Sequence, residues 1–143
     1  MHEVDKPEHL NTSSLRLYNL FFKPVFSEQE LLSGSSWIDV RDVAEAHAAA
    51  LEKEAAGDER ILISSTPPVP NQEFIESAKR AAASLGITGI QEGVKNYDPA
   101  KATPGWKFSS AKRDRVLGIK INPVDDMVRD SLVDFKERGW IPA

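Results

Sequence analysis

The stretch WIDVRDVAEAHAAALE, residues 37–52, constrains the fold more than any other part of the chain. Its first four residues favour a short β-strand, because β-branched and aromatic side chains pack well on a pleated surface. Asp42 and Glu45 then follow with the three-residue spacing of a helix capping box. The pattern therefore predicts a strand-to-helix corner. The buried stripe of the helix is predicted to be Val43, Ala46, His47, Ala50 and Leu51.

The charged residues of this stretch have two interpretations, a catalytic cluster or a structural corner. Asp42 fits a helix cap. Asp39, at the end of the predicted strand, can accept hydrogen bonds from loop backbone, and Arg41 can pair with Asp39 or Glu45. His47 falls on the apolar stripe, where a packed histidine is expected. We interpret the cluster as a structural corner without a catalytic role.

Four further helices are predicted from apolar periodicity and capping residues. One begins at Asn11 or Thr12 and ends before Pro24, and from Leu15 to Phe22 it is apolar nearly all round, so it must be buried on more than one side. The others are predicted from Asn71 to a left-handed stop at Gly86, from Ser109 or Ser110 to Gly118, and from Asn122 and Pro123 to Gly139.

Strand signals are fewer than helix signals. Besides residues 37–40, short strands are predicted at RILIS, residues 60–64, and near residues 90–94. We expect a loose N-terminal segment over residues 1–10. The content predicts an α/β fold, or α+β in isolation, rich in helix with a few short strands.

Length and composition exclude several classes of protein. The chain has 143 residues, about one domain, with a net charge of −4 and no cysteine. The negative charge without a basic block argues against nucleic acid and anionic membrane as partners. Without cysteine there is no disulfide, thiol nucleophile or thiolate metal site, and the three histidines lack metal-ligand spacing. No apolar run reaches the ~20 residues of a membrane span. We expect a cytoplasmic protein.

No sequence motif stands out as catalytic on its own. GITGIQEG, residues 86–93, contains the glycines of a dinucleotide-binding turn, but it follows a helix and leads into a loop, whereas a phosphate site needs a helix N-terminus after the turn. Tyr18 has Lys23 one position too late for a shared helical face, and Tyr97 precedes Lys101 in a stretch that reads as a loop. No cofactor-binding residue is predicted.

Three ordered segments resemble a known family. Residues 37–47 with residues 60–65, HLNTSS at residues 9–14, and the stretch from Phe108 to Leu132 resemble extended short-chain dehydrogenase/reductases, most of all the dihydroflavonol-reductase-like and fungal methylglyoxal-type NADPH-dependent reductases. The resemblance covers about residues 9 to 140. The family's glycine-rich phosphate turn and catalytic Tyr-x-x-x-Lys lie upstream of the segment that HLNTSS resembles, so no catalytic residue can be carried over.

The resemblance implies a substrate-binding lobe over residues 11–143. This would be the C-terminal part of a Rossmann-type reductase for ketones or aldehydes, and it would not be redox-competent by itself. NADPH is implied for the complete architecture and no cofactor for this chain alone. By position in the family, the candidate substrate-binding residues are Asn11, Ser14, Ser35, Ser36 and Trp37.

Two alternatives concern partners and function. The apolar face from Leu15 to Phe22 is expected to dock on a Rossmann-type partner half or on a second copy of the chain. Alternatively, the lobe is a stand-alone small-molecule-binding protein or a non-redox enzyme such as a cyclase or isomerase. The groups available to that function are Tyr97, Asp98, His47 and the paired serines.

Overall fold

The computed structural model describes residues 4–142, apart from the side chains of Ser35 and Pro104. Short 3₁₀ turns lie at Pro7–His9, Glu54–Ala56 and Pro99–Lys101. The helices are α1 (Thr12–Phe22), α2 (Glu28–Leu32), α3 (Val40–Glu52), α4 (Asn71–Leu85), α5 (Ala111–Val116) and α6 (Val124–Glu137). The strands are β1 (Ser33–Ser35), β2 (Val69–Pro70) and β3 (Thr103–Pro104). A helix-rich chain with a few short strands is therefore confirmed.

The main core forms where α4 packs along α6 and α1 lies against α4. Phe74, Ile75 and Leu132 are fully buried at its centre, and this tight burial of large side chains provides most of the stability of such a domain. Tyr18 contacts Phe135 edge to face with ring centroids 5.3 Å apart, and its hydroxyl donates to the Trp140 carbonyl at 2.8 Å. These contacts fix α1 against the end of α6.

Helix α1 is buried within this chain. Its apolar residues Leu17, Tyr18, Leu20, Phe21 and Phe22 are all buried in the main core. Burial on more than one side was predicted from the sequence and is confirmed. The face from Leu15 to Phe22 is consequently not free to dock on a partner half or on a second copy, so that expectation was wrong.

The sheet is small and mixed, in the order β2-β1-β3. Strand β1 runs antiparallel to β2 and parallel to β3, with Gly34 opposite both Pro70 and Pro104. A Cβ at Gly34 would lie 2.0 Å from the Val69 carbonyl oxygen, so only glycine permits this approach. The predicted strands at residues 37–40, 60–64 and 90–94 do not form, because these segments find no ladder partner in the described chain.

The strand-to-helix corner differs from the prediction in register. Asp39 is the N-cap of α3 and accepts from the Arg41 backbone N–H at 2.8 Å, so the helix begins at Val40. Asp42 lies inside the first turn, fully buried, and accepts from the Asn122 backbone N–H at 3.1 Å. The side-chain amide of Asn122 also donates to Asp42. Asp42 therefore joins α3 to the segment before α6 and is not a cap.

Two other residues that were predicted as N-caps have different roles. Asn71 begins α4, but its side chain donates to the Glu30 carbonyl at 2.7 Å and ties α4 to α2. Asn122 lies before α6, whose N-cap is Pro123. The left-handed stop at Gly86 is confirmed, with φ of 62°. Of the expected loose segment 1–10, residues 1–3 lie outside the described residues.

A second, smaller cluster lies under α3. Only Ala46, Leu117 and Ile119 are buried in it, with Ile61 and Ile63 packed alongside. Of the predicted buried stripe of α3, Ala46 alone is buried, and His47, Ala50 and Leu51 are exposed. The prediction of this buried stripe was wrong because little structure packs on α3. Within residues 4–142 no helix is both long and apolar enough to cross a bilayer.

Candidate functional site

A groove of about 680 Å³ lies between the start of α1, residues 37–41 and α6. A neighbouring groove of about 660 Å³ shares Asn11, Ser13, Trp37 and Ile38 with it. The walls of the first groove are Leu10, Asn11, Ser13, Ser14, Leu17, Trp37, Ile38, Asp39, Val40, Arg41, Val43, Met127, Asp130, Ser131, Asp134 and Phe135. The second adds Thr12, Arg16 and Ser36. Mostly apolar walls with a few polar groups are typical of small-molecule sites.

The α1 side of the groove is held by a helix cap. The Asn11 side chain accepts from the Ser14 backbone N–H at 3.0 Å and from the Ser13 hydroxyl at 2.9 Å. Because this cap fixes where the helix begins, it also fixes the direction in which the first turn faces the groove.

The opposite wall is held through Trp37. Its backbone N–H donates to the Ser65 hydroxyl at 2.8 Å, and its carbonyl accepts from the Ser65 N–H at 2.7 Å. Its ring lies against Phe74, with centroids 4.7 Å apart. Trp37 thus links the groove to the main core.

An ion network borders the first groove. Arg41 donates to both carboxylate oxygens of Asp39, at 2.6 and 3.0 Å, and reaches Asp130 on α6 at 2.7 Å. The Arg41 guanidinium holds the pKa of the buried Asp39 carboxyl below its usual value through these hydrogen bonds. The network fixes the distance between α3 and α6 at this point.

Two hydrogen-bonding groups beside the grooves have no protein partner among the described residues. They are the Ser36 hydroxyl and the Trp37 indole N–H, and the oxygen and nitrogen atoms concerned are both buried. Buried polar groups are nearly always satisfied in folded proteins, so two neighbouring exceptions mark a place where a hydrogen-bonding partner is expected.

The structure brings four of the five predicted site residues together. Asn11, Ser14 and Trp37 line the first groove, and Asn11, Ser36 and Trp37 line the second. The side chain of Ser35, the fifth, lies outside the described part; its backbone belongs to β1. Sequence reasoning missed the contribution of α6, because its side chains enter the groove only through tertiary packing. The α6 residues concerned are Met127, Asp130, Ser131, Asp134 and Phe135.

Of the groups considered for a non-redox function, His47, Asp98 and Tyr97 do not converge on one site. His47 is exposed and its ring contacts the Val43 carbonyl at 2.7 Å. Asp98 caps the turn at Pro99–Lys101. Tyr97 lines a separate polar cavity of about 730 Å³ beside α4. Burial, and then the nearby Glu73 carboxylate, raise the pKa of Tyr97, although its hydroxyl makes no hydrogen bond of ordinary geometry.

The glycine-rich stretch at residues 86–93 does not form a dinucleotide-binding turn. Gly86 ends α4, and no helix begins directly after Gly93, so no free helix N–H groups face this turn. Gly93 is required for another reason, since a Cβ there would lie 2.4 Å from the buried Gln72 side chain. Gln72 in turn accepts from the Val94 backbone N–H at 2.9 Å. Gly86 thus serves the end of a helix, and Gly93 serves packing. Among residues 4–142 no group of three His, Cys, Asp or Glu side chains is placed to hold a metal.

Comparison with known proteins gives matches to reductases. The putative NADPH-dependent methylglyoxal reductase GRP2 of Candida albicans is 27% identical over 138 residues, which are 93% of this chain and 38% of that reductase. The crystal structure of Gre2 from Candida albicans matches with a TM-score of 0.71 at 24% identity, over 96% of this chain and 40% of that one.

A further solved structure, a reductase engineered to attenuate substrate inhibition in asymmetric catalysis, matches with a TM-score of 0.63 at 25% identity. It covers 90% of this chain, which spans 38% of that reductase. No protein-family model matches the chain. The chain thus spans about two fifths of the length of its relatives, and the resemblance inferred from three sequence segments is confirmed.

Proposed function

Because the chain is related to the C-terminal part of extended short-chain dehydrogenase/reductases, we propose that it is the substrate-binding lobe of an NADPH-dependent reductase for ketones or aldehydes. The lobe comprises residues 11–143, and residues 1–10 are a segment outside it. The grooves beside Trp37 are the substrate site. The relative named as a methylglyoxal reductase makes small carbonyl compounds the class of substrate to test first.

The observation that carries the proposal is the convergence on one groove. Asn11 and Trp37 lie in separate segments of the sequence, were named as candidates from the resemblance alone, and line the same groove. Ser14 lies in the wall of the same groove, and Ser36 lies in the wall of the neighbouring one. A random set of surface residues would not be expected to share a groove.

In this role the residues bind and orient the substrate. The apolar walls, with Leu17 and Met127, take the hydrocarbon part of a ketone or aldehyde. The Ser36 hydroxyl and the Trp37 indole N–H are donors with capacity for a polar substituent. Arg41 and Asp130 hold the two walls at a fixed spacing.

Hydride transfer needs a nucleotide-binding part that these residues do not form. NADPH supplies the hydride in the complete architecture, and that part is contributed either by the same polypeptide or by a partner. Residues 1–143 alone are therefore expected not to bind NADPH. Titration of NADPH into the chain, followed by its fluorescence, measures this, and saturable binding would contradict the proposal.

The substrate site is tested by an NMR titration with a small aryl ketone, for which acetophenone is a suitable probe. Saturable shifts are expected at the Trp37 indole N–H and at the backbone amides of residues 11–14. Ser14→Leu fills the groove and should weaken the effect about tenfold or more. Ser84→Leu, the same change on the exposed face of α4, is the matched control and should leave it unchanged. Shifts confined to the cavity beside Tyr97 would contradict the proposed site.

A further inference from the structure

We propose that the second groove, the one of about 660 Å³ beside Trp37, holds the carboxylate of an oxo acid, and that Arg16 is the residue that recognises this carboxylate. The inference rests on the proposed function and deepens it, because it names a charged substituent on the ketone or aldehyde that the two grooves bind.

The wall of the second groove is positive in charge. Among the described residues of this wall, Arg16 is the only charged one, and its neighbours are hydroxyl, amide and apolar side chains. The carboxylates of Asp39, Asp130 and Asp134 line the first groove instead. Because the low-dielectric walls of a cavity concentrate the field of the charge that lines it, the second groove attracts an anion.

The guanidinium of Arg16 is held in position without being neutralised. It lies over the Phe26 ring, 5.0 Å from the ring centroid, and stacking of this kind leaves the N–H edge of the guanidinium available. Five other arginines in the described part of the chain form ion pairs with carboxylates, whereas Arg16 forms none there. Arg16 therefore keeps its paired N–H donors for a ligand.

Glu30 is the acidic residue that competes for this charge. The pKa of the Glu30 carboxyl is lowered mainly by hydrogen bonds from Ser27 and also by the charge of Arg16. The Glu30 carboxylate accepts from the Ser27 backbone N–H and from the Ser27 hydroxyl, both at 2.8 Å, and so completes the capping box of α2. Because the capping box holds Glu30 at the start of α2, the guanidinium remains able to bind a second carboxylate.

Further donors beside the groove add to its positive potential. The Trp37 indole N–H can only donate, and it has no protein partner among the described residues. Its nitrogen atom is buried, so Arg16 makes the direct contact and the indole dipole acts from behind it. The first turn of α1 lies in the same wall, where the positive end of the helix dipole favours negative charge. A carboxylate, which only accepts, fits this set of groups.

The wall that the two grooves share indicates an anionic substrate and not a free anion. Asn11, Ser13, Trp37 and Ile38 belong to both grooves. A molecule with its carboxylate at Arg16 can therefore place its hydrocarbon part against the apolar wall of the first groove, whereas a small inorganic anion would use the charge alone.

The test compares two ketones of the same shape, 4-acetylbenzoate and its methyl ester, titrated into the chain and followed by NMR. The ester keeps the ketone and removes the charge, so the acid should bind about tenfold more tightly or better. Arg16→Gln should bring the two Kd values together and leave the Kd of acetophenone unchanged, and Arg16→Lys should keep part of the preference. Arg115→Gln is the matched control, since Arg115 is exposed on α5 and lines neither groove.

Equal affinity for the acid and the ester would overturn the inference, as would a preference that survives Arg16→Gln or that Arg115→Gln also removes. Inorganic phosphate that binds as tightly as 4-acetylbenzoate would overturn it too, because the groove would then select only charge. The two proposals fail separately. Saturable shifts from acetophenone without a preference for the acid contradict the carboxylate site alone. An Arg16-dependent preference together with saturable NADPH binding by residues 1–143 contradicts the proposed function alone.

Discussion

The region around α4 and α6 and the region around α3 differ in how completely each buries its apolar side chains. Among residues 4–142, the first buries 14 residues in one cluster, and the second buries three. Of the six large apolar residues that are exposed in this described part, only Val25 lies outside the second region and its neighbouring loop. The first region is thus complete within this chain, and the second has the composition of a core with too little structure packed on it.

This difference separates the part of the chain that has a well-buried core from the part whose large apolar side chains stay exposed. The main core ties α1, α2, α4 and α6 together, and it supports one side of the first groove through Trp37 on Phe74. The α3 region contributes the other side through Arg41 and Asp39. The groove therefore depends on both regions, although their stabilities are expected to differ.

The largest effect is expected for truncation in the main core. Phe74→Ala should lower the free energy of unfolding by about 3–5 kcal/mol, because Phe74 is fully buried and Trp37 and α4 lose its packing. Leu117→Ala, in the small cluster, should cost about 2 kcal/mol, the low end for a buried leucine, since the thin cluster can relax. Urea denaturation measures both, and a reversed order would contradict the comparison.

A buried carboxylate joins the two regions, and its removal should have the next largest effect. Asp42→Ala should cost about 1.5–3 kcal/mol, because the Asn122 backbone N–H loses a charged acceptor in a buried place. Glu45→Ala, three residues later on the exposed side of α3, should change stability by less than about 0.5 kcal/mol. Equal unfolding midpoints for the two variants would show that α3 is not fixed through Asp42.

Acid should weaken the α3 region through Asp39. Its pKa is lowered mainly by hydrogen bonds from Arg41, so the ionised form is stabilised in the folded state. The stabilisation is full above the ordinary carboxyl pKa of about 3.9 and is lost as pH falls through the lower folded pKa. Asp39→Asn should therefore be less stable than the parent at pH 6, with a smaller difference at pH 3. Urea midpoints at the two pH values measure this, and a difference that grows in acid would contradict it.

Much of the helical fold is predictable from local signals. The periodic stretches of α1, α4 and α6 and the left-handed Gly86 are local features of sequence, and they form where predicted. The N-cap of α3, by contrast, was predicted wrongly. Asp39 and Asp42 are both good capping residues, and the choice between them depends on Asn122, far along the chain.

The strands and the buried face of α3 could not be predicted for this chain, for a shared reason. Residues 60–64 carry a strand sequence, but a strand needs a ladder partner, and the described chain supplies none. The same reasoning applies to Leu51, whose apolar side chain predicts burial that the chain does not provide. Asn11, Ser14 and Trp37, on the α1 and α3 sides of the groove, were predictable from the family resemblance. The α6 half depends on tertiary packing and has no local signal.

The smallest effect on stability is expected at Leu51, on the exposed face of α3. Leu51→Ser should change the free energy of unfolding of the isolated chain by less than about 0.5 kcal/mol, because Leu51 is 90% exposed and contributes little packing. Thermal or urea unfolding measures it. A loss above about 1 kcal/mol would mean that Leu51 is covered in the isolated chain.

The most direct test of incomplete burial around α3 is amide hydrogen exchange of the isolated chain, read residue by residue by NMR. Backbone amides in the middle of α4 and α6 should be strongly protected, whereas those of residues 61–63 should exchange at nearly the rate of an unstructured peptide. Comparable protection in both places would show that the chain completes the α3 region by itself, and would contradict the difference between the two regions.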